Sequence, residues 1–261
     1  MERLDPDRLD ARDASLVRAL LPALRVFNRR YLRLRADGLE HVPETPALFV
    51  GNHNGGISGP DLSCTLATLW EARGPEAPVY ALAHDFAMRT VTPVGRWLQR
   101  VGAVRACPEN VRRIVDAGGQ ALVYPGGDLE AYRHSRHRDT IVLGRRTGFV
   151  RVAQETGVPL VPVVVQGAHR SAYIFHDGER LAEAMRLQRW IRVRRFPLAL
   201  ALPWGVALGP WMPYMPLPFP LRLRVLPPIF VAASDDVREV QETVRQRMQK
   251  TLDDLSREAR A

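Results

Sequence analysis

Short apolar runs, each closed by glycine or polar residues, recur along the first two-thirds of the chain. Ala47-Leu48-Phe49-Val50, Val79-Tyr80-Ala81-Leu82-Ala83, Gln120-Ala121-Leu122-Val123-Tyr124 and Leu160-Val161-Pro162-Val163-Val164-Val165 are too short for helices and read as buried strands. Between them, Pro60 to Ala72 and Pro108 to Ala117 suit helices. Strands alternating with helices predict an α/β fold, a mixed, mainly parallel sheet flanked by helices. Ligands of such sheets bind beyond the carboxyl ends of the strands, and three of these strands end in glycine-bearing polar loops.

The two ends of the chain are helical in pattern. Leu16, Leu20, Leu24 and Phe27 recur at helical spacing, predicting an amphipathic helix from Ser15 to Leu34. Asp13 or Ser15 can cap it, and Pro22 should kink or break it. Arg25, Arg29, Arg30, Arg33 and Arg35 make its distal half strongly basic. Near the other end, Leu221-Arg222-Leu223-Arg224-Val225-Leu226 alternates like a strand. A helix capped by Ser234 follows, with Val237, Val240, Val244, Met248 and Leu252 on one face. No internal repeat or low-complexity linker interrupts the chain. The division expected is an N-terminal amphipathic helical segment, 1–37, and one domain, 38–261.

Residues 196–221 contain no charge. The length would allow a membrane span, but Pro197, Pro203, Pro210, Pro213, Pro216, Pro218 and Pro220 forbid a continuous helix. Two readings remain: a hydrophobic loop at a membrane interface, or a proline-rich wrap around the core. Arg186, Arg189, Arg192, Arg194 and Arg195 form a basic collar just before it, suited to anionic head groups.

Composition narrows the classes. The 261 residues are 46% hydrophobic and 25% charged, ordinary globular values that exclude a mainly disordered or fibrous chain. Lys+Arg number 37 against Asp+Glu 28, a net charge of +9, with Lys250 the one lysine. That balance favours anionic partners. The arginines flank apolar segments and do not cluster with exposed aromatics, so an anionic membrane surface is expected and nucleic acid is not. Cys64 and Cys107 form no disulfide framework, and the start of the chain lacks the apolar core of a signal peptide. The expectation is a peripheral or monotopic place on the cytoplasmic side of a membrane.

The loop Gly51-Asn52-His53-Asn54-Gly55-Gly56-Ile57-Ser58-Gly59-Pro60-Asp61 carries the strongest local chemistry. His53 directly follows a buried strand, and Asp61 falls at a helix start from which it can turn back. A carboxylate on one imidazole nitrogen fixes the tautomer and raises the basicity of the other, which suits a general base. Taken alone, Asp61 could equally cap its helix while His53 satisfies a backbone group. A second loop, Tyr124-Pro125-Gly126-Gly127-Asp128-Leu129-Glu130-Ala131-Tyr132-Arg133, offers backbone N–H groups for an oxyanion or phosphate at Gly126 and Gly127, or a plain tight turn. Arg105, after Gly102-Ala103-Val104, could reach a phosphate in the cleft. His84, His134, His137, His169 and His176 lack metal-ligand spacing, and no metal is expected.

In order, His53 with Asp61, Gly102-Ala103-Val104, Tyr124-Pro125-Gly126-Gly127 and Val158-Pro159-Leu160-Val161-Pro162-Val163 resemble the four blocks of the lysophospholipid (glycerolipid) acyltransferase family. The resemblance runs from about Gly38 to Ile229. It implies the acyltransferase α/β fold, membrane association, and acyl transfer from acyl-CoA, the co-substrate, to a lipid hydroxyl, with no other cofactor. His53 would be the general base and Asp61 its orienting acid. Two departures stand out. The common motif places four residues between histidine and aspartate, which would put Ser58 at the acidic position, whereas seven intervene before Asp61. The usual Pro-Glu-Gly-Thr-Arg block appears as Pro125-Gly126-Gly127-Asp128-Leu129, with Glu130 and Arg133 further on as candidate acceptor or phosphate contacts. These departures argue against lysophosphatidic acid as acceptor and make a neutral one, such as a diacylglycerol or long-chain alcohol, plausible.

Overall fold

The computed structural model describes residues 4–54, 56, 59–84, 88, 92–191, 193–209 and 214–260. Ten strands form two sheets. The larger is built from β1 (Arg35–Asp37), β2 (Leu48–Gly51), β3 (Val79–Ala83), β4 (Ala103–Arg105), β5 (Gln120–Val123), β6 (Leu160–Gln166) and β10 (Arg222–Val225). Their order is β1-β10-β6-β2-β5-β3-β4, and β10 runs antiparallel to β6 while every other pair is parallel. The smaller sheet is an antiparallel trio, β7 (Tyr173–His176), β8 (Leu198–Ala201) and β9 (Gly205–Leu208).

The helices are α1 (Ala14–Val26, continued by a π-helical turn at Phe27–Tyr31), α2 (Pro60–Arg73), α3 (Thr92–Arg100), α4 (Pro108–Asp116), α5 (Gly127–Ala131), α6 (Gly148–Thr156), α7 (Glu179–Ala184), α8 (Leu187–Ile191) and α9 (Val237–Glu258). They cover both faces of the large sheet. Strand periodicity sends Ala47 and Phe49 to the face holding α1 and α2, and Leu48 and Val50 to the face holding α4, α6 and α9. Each of β2, β5 and β6 is therefore apolar at nearly every position, which is why these strands read so plainly in the sequence.

The ends differ in detail from the periodicity. α1 is capped by Asp13, which accepts a hydrogen bond from Leu16 N–H at 3.0 Å, and it continues through Pro22 without a break. Asp236, not Ser234, caps α9, accepting from the N–H groups of Arg238 and Glu239 at 2.9 and 3.0 Å. Residues 198–201 and 205–208, expected as loop or wrap, pair as a hairpin. Among the described residues no helix is long and apolar enough to cross a membrane. Pro210, Pro213 and Arg192 of that region, and Ser58 of the histidine loop, lie outside the described residues.

Candidate active site

The centre of the site is the exit from β2. Gly51, the last residue of that strand, lies under the Tyr124 ring, where a Cβ would overlap the aromatic edge. Asn52 follows, fully buried. Its amide donates to the Val165 carbonyl at 3.0 Å and accepts from Val165 N–H at 2.8 Å, so a side chain replaces the next rung of the β2–β6 ladder. That substitution lets the main chain leave the sheet without orphaning Val165, and His53 sits where it leaves.

α2 supplies the partner. Pro60 fits the first helical position because it has no N–H to satisfy, and Asp61 comes next. Asp61 is fully buried, and its Oδ2 accepts from His53 Nδ1 at 2.8 Å and from Asn54 N–H at 3.1 Å. Gly59 makes the fold-back possible, since a Cβ there would overlap both the Asn54 carbonyl and the Asp61 carboxylate. With its proton held at Nδ1, His53 presents the Nε2 lone pair, and its side chain is 24% exposed. Burial opposes the imidazolium, but the Asp61 charge and hydrogen bond outweigh it, with help from Glu130, and hold the His53 pKa above the ordinary histidine value. Such a group is poised to take a proton from a hydroxyl. Tyr124 lies alongside at 5.1 Å between ring centroids; burial and the Asp61 charge keep its phenol protonated.

Behind the histidine loop lie two charged residues, both buried. Glu130 accepts from His53 N–H at 2.8 Å and from Val142 N–H at 3.0 Å. Arg133 donates to Asn54 Oδ1 at 2.6 Å and to the carbonyls of Glu130, His137 and Arg138 at 2.8–2.9 Å. Its guanidinium lies 3.7 Å from the Glu130 carboxylate. Burial pushes the Glu130 carboxyl up to about 7, against Arg133 and the two backbone donors. Both residues were expected at the acceptor; in the structure Glu130 holds the main chain of His53 and Arg133 the side chain of Asn54.

The two glycines serve the same brace. A Cβ on Gly126 would overlap the Val142 carbonyl and the Glu130 carboxylate. Gly127 takes a positive φ of 51°, and its N–H donates to the Tyr124 carbonyl at 3.1 Å. That N–H is spent in the turn and is not on offer to an oxyanion. Arg105 is also placed elsewhere. It closes β4, three strands and about 14 Å across the sheet from β2, and forms a two-pronged pair with Asp7 at 2.9 and 2.5 Å.

Asn52, Asn54 and Gly59 escaped the sequence reading as working parts, as did Tyr214. Tyr214 belongs to the uncharged segment, yet a Cβ on Gly56 of the histidine loop would come within 2.8 Å of its hydroxyl. Their residue types carry no special signal; only the fold brings them together. Among the described residues there is no cluster of three or more side chains able to hold a metal.

In fold, the chain is similar to the crystal structure of the 1-acyl-sn-glycerophosphate acyltransferase PlsC from Thermotoga maritima, with a TM-score of 0.56 at 15% identity over 93% of this chain and 82% of that one. It is 27% identical over 240 residues to an uncharacterised protein of Mycobacterium leprae, covering 88% of this chain and 62% of that protein. It is 29% identical over 164 residues to the bovine (Bos taurus) DGAT1/2-independent enzyme synthesizing storage lipids, covering 62% of this chain and 45% of the enzyme. The chain thus spans less than two-thirds of the length of these curated relatives. A family model described as Acyltransferase matches residues 33–166, just over half of the sequence and all of the dyad and its brace. By that match and by its fold, the chain belongs to the acyltransferase family.

Proposed function

We propose that the protein moves a fatty acyl group from acyl-CoA to the hydroxyl of a lipid acceptor. One observation carries the reading: a histidine just past the carboxyl end of a central strand, its Nδ1 fixed by a buried carboxylate at 2.8 Å and its side chain still partly open to solvent. The acceptor O–H gives its proton to His53 Nε2 while the oxygen attacks the thioester carbonyl carbon. The C–O bond forms, and Asp61 stabilises the imidazolium. Collapse of the tetrahedral intermediate breaks the C–S bond, and the departing thiolate takes the proton back from Nε2. The products are an ester and CoA, with no acyl-enzyme and no metal required.

The brace bears on the acceptor. Glu130 and Arg133 spend their charge on the protein interior, so neither offers a contact to an acceptor phosphate. This favours a neutral hydroxyl, a diacylglycerol or long-chain alcohol, over lysophosphatidic acid. The name of the bovine relative, which refers to storage lipids, agrees with a neutral product. A peripheral position on the cytoplasmic face of an anionic membrane would bring such acceptors within reach.

The test is a panel assay. Purified protein is given labelled long-chain acyl-CoA with lysophosphatidic acid, diacylglycerol or fatty alcohol, and the lipid products are separated. The reading expects an ester made on the neutral acceptors. Free fatty acid formed equally with and without acceptor would make the protein a thioesterase, and tight binding without turnover would make it a lipid-binding member of the family.

A further inference from the structure

The small sheet β7–β8–β9 is packed the wrong way round for a surface in water. Its inward row, Ile174 opposite Ala199 opposite Ala207, is buried and mostly small. Its outward row, Tyr173 opposite Leu200 opposite Val206, is large, apolar and about half exposed. Leu208 extends that face, and Leu202 and Trp204 form the tip of the hairpin, all similarly exposed. An antiparallel sheet on a soluble protein normally turns polar residues outward. A contiguous apolar face of this size marks an interaction surface, and a tryptophan at its tip suits the head-group level of a bilayer.

Exposed arginines lie on two segments that pack against the chain leading into and out of this sheet. Tyr31 donates to the Pro216 carbonyl at 2.9 Å and Arg33 to the Pro218 carbonyl at 2.6 Å, which brings the basic end of the N-terminal helix, with Arg30, beside the uncharged segment. Gly178 packs its backbone against Phe196, two residues before β8, and so sets the α7–α8 stretch, with Arg186 and Arg189, near the start of that strand. The nearby acids Asp177 and Glu179 are engaged by Arg195. The same segment reaches the catalytic loop through Tyr214.

We infer that the outer face of β7–β8–β9 docks on an anionic lipid bilayer, apolar side chains inserted and arginines on the head groups. For its purpose the inference rests on the acyl-transfer reading, because docking there would set the His53 loop beside a lipid acceptor. Its test needs no turnover, so a failure of docking and a failure of acyl transfer appear in different assays.

The experiment is sedimentation of the full chain with vesicles of phosphatidylcholine alone and of equal parts phosphatidylcholine and phosphatidylglycerol. Wild type should bind the anionic vesicles more tightly. The double variant Leu200→Glu/Val206→Glu should lose at least about tenfold in partitioning to both, as each charged position withdraws apolar burial, with unchanged circular dichroism. Arg186→Gln/Arg189→Gln should lose about fivefold per charge on anionic vesicles alone. Wild-type-like binding by both variants would overturn the inference. So would a wild type that ignores vesicles and forms a dimer that the glutamates dissolve, which would assign the face to a second copy of the chain.

Discussion

Replacing Asp61 by asparagine isolates the electrostatic half of the dyad. An amide oxygen at the Oδ2 position can keep accepting from His53 Nδ1 and from Asn54 N–H, now at 2.8 and 3.1 Å, with hardly any change in volume. What disappears is the negative charge beside a developing imidazolium. At a centre-to-centre separation of about 4 Å and an effective dielectric of about 20, that charge contributes on the order of 4 kcal/mol, or roughly 10³-fold in rate. Asp61 is fully buried, so salt screens little of it. A second signature follows from the proton balance. His53 must be neutral to act as base, and its pKa lies above the ordinary value of about 6.5 because Asp61 favours the protonated form. Activity in wild type should therefore fall as pH drops through that raised pKa. In Asp61→Asn only the weaker pull of Glu130 still opposes the burial of His53, so the acid limb should move to lower pH while the maximum rate falls. The assay is acceptor-dependent CoA release, followed with a thiol reagent across pH, alongside thermal melting of each protein. An asparagine variant within about tenfold of wild type, with its acid limb unmoved, would mean that the Asp61 charge does not support His53 as a base.

Other consequences concern the brace and the buried thiol. Glu130→Gln sets an amide N–H₂ against one of the two backbone donors now bound by the carboxylate and strips Arg133 of its counter-charge; breaking such a buried pair should destabilise by about 3–5 kcal/mol. The melting temperature should drop by about 6–20 °C, and the loss of activity should persist at temperatures where the variant is folded. Restoring neutrality in Glu130→Gln/Arg133→Met should recover part of the stability, measured by denaturant midpoint. Cys64 is fully buried, with its thiol pKa pushed up by burial and by the Asp61 charge. It should resist iodoacetamide in the native protein at mildly alkaline pH and react only on unfolding, as mass spectrometry would show.

The strands that build the site were the legible part of this fold. β2, β3, β5 and β6 lie inside the larger sheet, and their apolar runs announce themselves at close to their true limits. β1 is three exposed residues, Arg35–Asp37, and has no alternation to read. β7, β8 and β9 were missed because their sequence does not alternate apolar with polar: Ile174 and alanines face in, and large apolar residues face out. At the site, a strand end and a helix start made His53 and Asp61 candidates, but their spacing left a helix cap equally open; the resemblance of the ordered blocks paired them, and the structure brings them to 2.8 Å. The roles of Glu130, Arg133, Gly126 and Gly127 turned on burial and on which carbonyl or amide each meets across the chain. A charged residue after a glycine turn reads as a substrate contact until its partners are known. The same holds for Arg105, whose partner Asp7 lies 98 residues away.

The claim at the centre of this account is that His53 Nε2 takes the proton of a lipid hydroxyl. It is tested most directly by ester formation from acyl-CoA on the preferred acceptor, comparing wild type with His53→Ala at matched folding. Acceptor-dependent ester synthesis should fall by about 10³-fold or more, with acyl-CoA binding retained. Ester synthesis by His53→Ala at a rate near that of wild type would contradict it.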